Sequence, residues 1–133
     1  MTKDQYHISV PRQILFFIKY NISDTLHILY IGENSYGHAI GYGLISYDSD
    51  LQPWVSGGLI PKQRGKGYGS QLFKFLSEGW SMPVYLEVLK SNIYAHKLYA
   101  NLGFVEVSRE SRLLRSEHEP KHTDTVITMR KDV

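Results

Sequence analysis

Arg64-Gly65-Lys66-Gly67-Tyr68-Gly69 follows a short apolar run, Val55 to Ile60, and precedes a helix-patterned segment, Ser70 to Leu76. A strand, a glycine loop and a helix in that order build a cradle for an anion. Glycines let the backbone approach a phosphate closely. The helix behind them aims free N–H groups and the positive end of its dipole at the same point. Arg64 and Lys66 add positive charge. Two other phosphate loops are excluded by spacing. A P-loop needs glycine where Ile60 stands and Ser or Thr where Gly67 stands, and a dinucleotide fingerprint needs glycine where Ser70 stands. With 11 glycines in 133 residues, the loop taken alone also reads as a flexible turn before a helix.

Downstream, Leu86 to Phe104 reads LEVLKSNIYAHKLYANLGF. Val84, Leu86 and Val88 alternate with Tyr85 and Glu87, a strand period. Asn92 stands where a helix N-cap belongs. Ala95, Leu98, Tyr99 and Leu102 recur at i, i+3, i+4 and i+7, an apolar helical stripe. Gly103 ends that helix and Phe104 opens another strand.

Together the two stretches resemble the GNAT superfamily of acyl-CoA-dependent N-acyltransferases. The family's pyrophosphate loop, Arg/Gln-x-x-Gly-x-Gly/Ala, is matched by Arg64, Gly67 and Gly69. Its later motif is a strand, an Asn, and a helix with a Tyr shortly before Gly-Phe. Leu86–Val88, Asn92, Tyr99 and Gly103-Phe104 match it. The resemblance is best from Trp54 to Phe104. It implies a central mixed, mostly antiparallel sheet flanked by helices, and acetyl-CoA as co-substrate. The backbone of Arg64, Gly65, Lys66, Gly67, Tyr68, Gly69 and Ser70 would ring the pyrophosphate. Leu59 and Ile60 would pair with the pantetheine amides, and a backbone N–H there would polarise the carbonyl. Asn92 caps its helix, contacts the cofactor, or does both. Glu87 and Tyr99 are spaced as in acetyltransferases of protein N-termini, where a strand Glu is the base and a helix Tyr the acid.

Both residues keep a second reading. Tyr99 can be a core aromatic on its helix stripe, and Glu87 a solvated carboxylate on a sheet face. A free carboxylate is too weak a base, by several units, to strip an alkylammonium, so orienting the amine or starting a water chain suits Glu87 better. Two rivals to acetyl transfer stand beside these readings. One is a longer acyl donor. The other is an acyl-CoA-binding or protein-interaction module without turnover.

At 133 residues and 42% hydrophobic content, the chain fits one domain over residues 1–133. There is no cysteine, which excludes disulfides, thiolate metal sites and Cys nucleophiles. No apolar run approaches the ~20 residues of a membrane helix, and Met1 to Gln5 lacks a signal-peptide core. The expectation is a cytoplasmic protein. A net charge of +2 gives no argument for nucleic acid. The histidines form no metal-ligand pair, since His118 and His122 flank Pro120. Arg109, Arg112, Arg115 and Lys121 make the late region basic, either a solvated loop or a site for a phosphate-bearing acceptor.

Along the chain, strands are expected at Tyr6–Val10, His27–Ile31, Ala39–Tyr47, Trp54–Ile60, Val84–Leu89, Phe104–Val107 and Thr125–Arg130. Pro11 to Asn21 is expected to be helical on the face Ile14, Leu15, Phe17 and Ile18, with further helices at Ser70–Ser77 and Ile93–Leu102. Ser108 to Asp124 reads as a long connection. One N-terminal helix, where larger family members have two, would leave the acceptor side open or need a second subunit to cover it.

Overall fold

The computed structural model describes residues 15–22, 27–116 and 119–133. Its elements run β1 (Leu15–Ile22), β2 (His27–Glu33), β3 (Ala39–Tyr47), β4 (Pro53–Leu59), a 3-10 turn at Pro61–Gln63, α1 (Tyr68–Ser77), β5 (Val84–Leu89), α2 (Ile93–Asn101), β6 (Val105–Ser116) and β7 (Glu119–Lys131). The strands form one seven-stranded sheet in the order β1-β2-β3-β4-β5-β7-β6. All neighbours are antiparallel except β4 and β5, which α1 connects as a crossover. The mixed, mostly antiparallel α/β fold expected from the sequence is the fold observed.

Two expectations are corrected. The Leu15–Ile22 part of the expected helix is a strand, with Leu15 opposite Glu33 and Ile22 opposite His27. The run Leu15-Phe16-Phe17-Ile18 satisfies a helical stripe and a buried strand equally well, and its aromatic and β-branched content favours the strand. Pro11 to Ile14 and the expected Tyr6–Val10 strand lie outside the described residues. The long connection at 108–124 is also overturned. β6 and β7 pair from Val105–Arg130 to Ser116–Glu119. β6 is the sheet's edge, and Val105 to Leu113 is exposed throughout, so it lacks the apolar alternation that marks a half-buried strand. Its charges pair instead: Arg109 with Glu106, and Arg112 with Glu87 and Glu110.

The core lies on one side of the sheet. Val84, Leu86 and Val88 of β5 are buried with Ile45, Val55, and Leu72, Phe73, Phe75 and Leu76 of α1. Phe73 meets Tyr99 of α2 edge-on at 4.8 Å, so both helices cover this same side. Among the described residues no helix covers the other side, where Trp54 and Tyr85 stack at 5.0 Å.

Close approach of β3 and β4 depends on glycine. A Cβ at Gly41 would sit 2.2 Å from the Gly58 carbonyl oxygen and 3.0 Å from Leu59 Cα. The obstruction is backbone, which cannot rotate away. Gly41→Ala is therefore expected to destabilise by about 1–3 kcal/mol, the scale of overpacking. A thermal melt checks this, and an unchanged midpoint would contradict the close approach.

Candidate active site

The loop begins with the 3-10 turn, in which the Gln63 N–H donates to the Ile60 carbonyl at 2.8 Å and the Arg64 N–H to that of Pro61 at 3.3 Å. Gly65 (φ 77°) and Gly67 (φ 81°) then adopt left-handed backbone, which glycine enters without a Cβ penalty. Gly67 is the N-cap of α1, and no side chain caps that helix. The first-turn N–H groups, at Tyr68 to Ser70, have no carbonyl one turn back to bond. They face outward with the positive end of the helix dipole, an arrangement that suits an anion.

β4 and β5 pair at Trp54 opposite Tyr85 and part beyond it. Between them opens a cleft of about 530 Å³ lined by Gly57, Gly58, Leu59, Arg64, Gly65, Gly67, Gly69, Phe73, Asn92, Tyr94, Ala95, Leu98 and Tyr99. Of the residues singled out from sequence, Leu59, Arg64, Gly65, Gly67, Gly69, Asn92 and Tyr99 come together here. Ile60, Lys66, Tyr68 and Ser70 do not line it. The Ile60 N–H donates to the Ile40 carbonyl at 2.8 Å, so it is committed to β3. Strand alternation then turns the backbone groups of Leu59 and Gly57 toward the open β5 side. Lys66 Nζ donates to Gln63 Oε1 at 3.2 Å. Tyr68 packs against the core.

Tyr99 serves both of its readings in part. Its ring is 9% exposed, edge-on to Phe73 and, at 6.2 Å, to Phe104, yet the residue lines the cleft. Burial pushes its hydroxyl up to about 12. The phenol is neutral at physiological pH, so it can give a proton and does not act as a resting base. Asn92 caps α2, its Oδ1 accepting from the Ala95 N–H at 3.1 Å. Asn92 also lines the cleft.

Glu87 lies apart from this cleft. The alternation of β5 buries Leu86 and Val88 under the helices and turns Glu87 to the other sheet face, where Arg112 donates to both of its oxygens, at 2.8 and 3.4 Å. Arg112 also pairs with Glu110, and these carboxylates hold its guanidinium above the usual range, Glu87 contributing most. Glu87 borders a shallow depression of about 340 Å³ with Ser46, Tyr47, Asp48 and Trp54. Asp48 is engaged there: Trp54 Nε1 donates to it at 2.8 Å, and the Gln52 and Asp50 N–H groups also donate. These bonds, that of Trp54 first, hold its carboxyl below the usual range. Among the described residues, no three His, Asp or Glu side chains group as metal ligands, and no helix is long and apolar enough to cross a membrane.

Sequence reasoning missed Gly57, Gly58, Phe73, Tyr94, Ala95 and Leu98 as cleft residues. The Gly-Gly pair at the end of a strand was a usable signal, because glycine inside a strand marks close backbone approach. Ala95 and Leu98 were legible only as core, since the helix face that packs inward continues along the cleft wall.

A sheet that splits beside a glycine loop at a helix N-terminus is the arrangement expected of an acyl-CoA-dependent N-acyltransferase, and the family match assigns that class. The chain belongs to the acetyltransferase (GNAT) family, whose model matches residues 3–104. Similar solved structures include a chimera of the spermidine N-acetyltransferase SpeG from Vibrio cholerae and hSSAT, at TM-score 0.70 and 20% identity, covering 84% of this chain and 70% of that one. The V. cholerae enzyme in complex with CoA and spermine gives TM-score 0.67 and 20% identity, over 83% and 68% of the two chains. A GNAT-family acetyltransferase from Streptococcus pneumoniae gives 0.65 and 21%, over 84% and 70%. A search of curated protein sequences returns no match.

Proposed function

We propose that this chain transfers the acetyl group of acetyl-CoA to a primary amine by direct attack. The amine belongs to a small molecule, a protein N-terminus or a lysine. The observation that carries the reading is the shared cleft: the glycine loop, the open β4 edge and the Tyr99 side chain line one space. Nothing stands within 4 Å of where a Cβ would be at Gly65 and Gly67, so the loop is open at both positions.

Acetyl-CoA supplies an activated thioester when bound. The N–H groups of Gly67 to Ser70 and the Arg64 guanidinium would hold its pyrophosphate. The Leu59 and Gly57 backbone groups, free of the β3 ladder, would pair with the pantetheine amides and polarise the carbonyl. Tyr99 would protonate the departing thiolate. Glu87 would meet the ammonium from the other sheet face, in exchange for Arg112, and start the water chain that carries its proton to solvent, so that the neutral amine attacks. The reading includes a cytoplasmic setting, where acyl-CoA donors are made and used.

Thiol release from acetyl-CoA over an amine panel that includes spermine, amino acids and peptides tests this. The expected result is amine-dependent release. CoA binding without release across the panel would favour the binding module, and faster release from a longer acyl-CoA would move the donor assignment. Within the reading, Glu87→Gln is expected to lower turnover by roughly 10-fold at neutral and lower pH, where the amine is most protonated. Acetyl-CoA affinity should stay near wild type, since Glu87 is off the donor cleft. Equal rates at every pH would reduce Glu87 to a surface charge held by Arg112.

A further inference from the structure

Tyr94 is 72% exposed, yet it lines the same cleft as Arg64 and Gly65. The other aromatics of the cleft, Phe73 and Tyr99, are buried against each other. The Tyr94 ring contributes little to the core, and its place on the cleft wall is left without a packing explanation. It stands on the first turn of α2, which the Asn92 side chain fixes. Along the helix it lies about 7.5 Å from Tyr99, at 1.5 Å per residue. Both line the cleft, Tyr99 buried at its deep end and Tyr94 exposed at its mouth.

Resting on the acetyl-CoA reading, we propose that Tyr94 is the platform on which the adenine base of CoA stacks. A nucleotide whose diphosphate sits in the glycine loop must place its base near that loop and outside the narrow pantetheine channel. A rigid, open aromatic face there gains stacking at little ordering cost, because every base presents a π face. Arg64 in the same cleft adds a cation for the neighbouring phosphates. Tyr94 would set how tightly the donor is held and would leave the acyl end untouched.

The test is calorimetric binding of CoA, of 3′-phospho-ADP as the nucleotide end alone, and of S-acetylpantetheine as the arm alone. Wild type is compared with Tyr94→Ala and Tyr94→Phe. Tyr94→Ala is expected to weaken CoA and 3′-phospho-ADP by the same factor, roughly 10-fold or more, and to leave S-acetylpantetheine unchanged. Tyr94→Phe should stay within about twofold of wild type for all three, since the ring performs the stacking. An unaltered CoA affinity in Tyr94→Ala overturns the proposal. So does an equal loss for S-acetylpantetheine, which would make the ring a wall of the pantetheine arm. Failure of wild type to bind CoA would instead remove the acetyl-CoA reading itself, and this platform with it.

Discussion

Tyr99→Phe is expected to lower kcat by roughly 10²-fold or more, the scale of a lost general acid, with little change in Tm or in KM. The ring is held by Phe73 at 4.8 Å and by Phe104. Phe keeps those edge-on contacts and the volume, so only the hydroxyl is lost. A purely packing role predicts the reverse pattern. Phe would then be tolerated, and only Tyr99→Ala would hurt, by about 3–5 kcal/mol of core stability. Steady-state kinetics on the Phe variant beside its melting curve separates the two. Full activity at normal stability would assign the proton to water or to another group.

The same residue makes an alkaline signature. Burial raises its pKa from the ordinary tyrosine value of about 10 to about 12. Between those values the folded chain keeps a proton that the unfolded chain has released. Stability is therefore fully present below pH ~10 and falls as pH climbs toward ~12. The size is on the order of 2–3 kcal/mol at the top of that window. In Tyr99→Phe this part of the alkaline loss should vanish, because neither state then carries a proton to lose.

Where sequence and structure agree, the signals were local and mutually consistent. Ala39–Tyr47 and Val84–Leu89 are strands with the expected bounds, and Val84–Leu89 alternates against a one-sided core. The helix after Asn92 has its capping bond as expected. What failed was non-local. Leu15–Ile22 took its state from pairing with β2, and within that run only the aromatic and β-branched content leans toward a strand, since its apolar spacing fits a helix equally well. β6 is exposed and charged because it is an edge, which a pattern sought in one strand does not reveal. At the site, the loop glycines, Asn92 and Tyr99 could be placed on one cleft because the loop, the helix cap and the helix stripe are local patterns. The positions of Ile60 and Lys66 could not be read this way. Which side an N–H faces depends on β3, and Lys66 turns to Gln63 through a side-chain bond. The pairing of Glu87 with Arg112 joins residues on strands that β7 separates, so their spacing in the chain carries no hint of it.

Gly67→Val is expected to weaken acetyl-CoA binding by roughly 10- to 100-fold with only a small change in the melting temperature of the free protein. Gly67 sits at φ 81°, and a β-branched residue there is a genuine outlier. Holding the loop in its present shape would cost about 1–3 kcal/mol, which is about 5- to 150-fold in affinity. The free protein can escape that cost. A Cβ at Gly67 meets nothing within 4 Å, so the loop can relax into solvent without disturbing the core. The ligand cannot share that escape, because its diphosphate needs the N–H groups of the α1 first turn aligned as they stand. Gly69 behaves differently. Its backbone lies outside the left-handed region, and a Cβ there would rest 3.7 Å from Leu59 Cδ1 and Leu98 Cδ2, an ordinary contact. Gly69→Ala should therefore fold as wild type and lose affinity only through the methyl it adds to the cleft. Calorimetry on both variants, with a thermal shift on adding acetyl-CoA, checks the pair. An unchanged dissociation constant in Gly67→Val would show that the glycine loop does not carry the donor's phosphates.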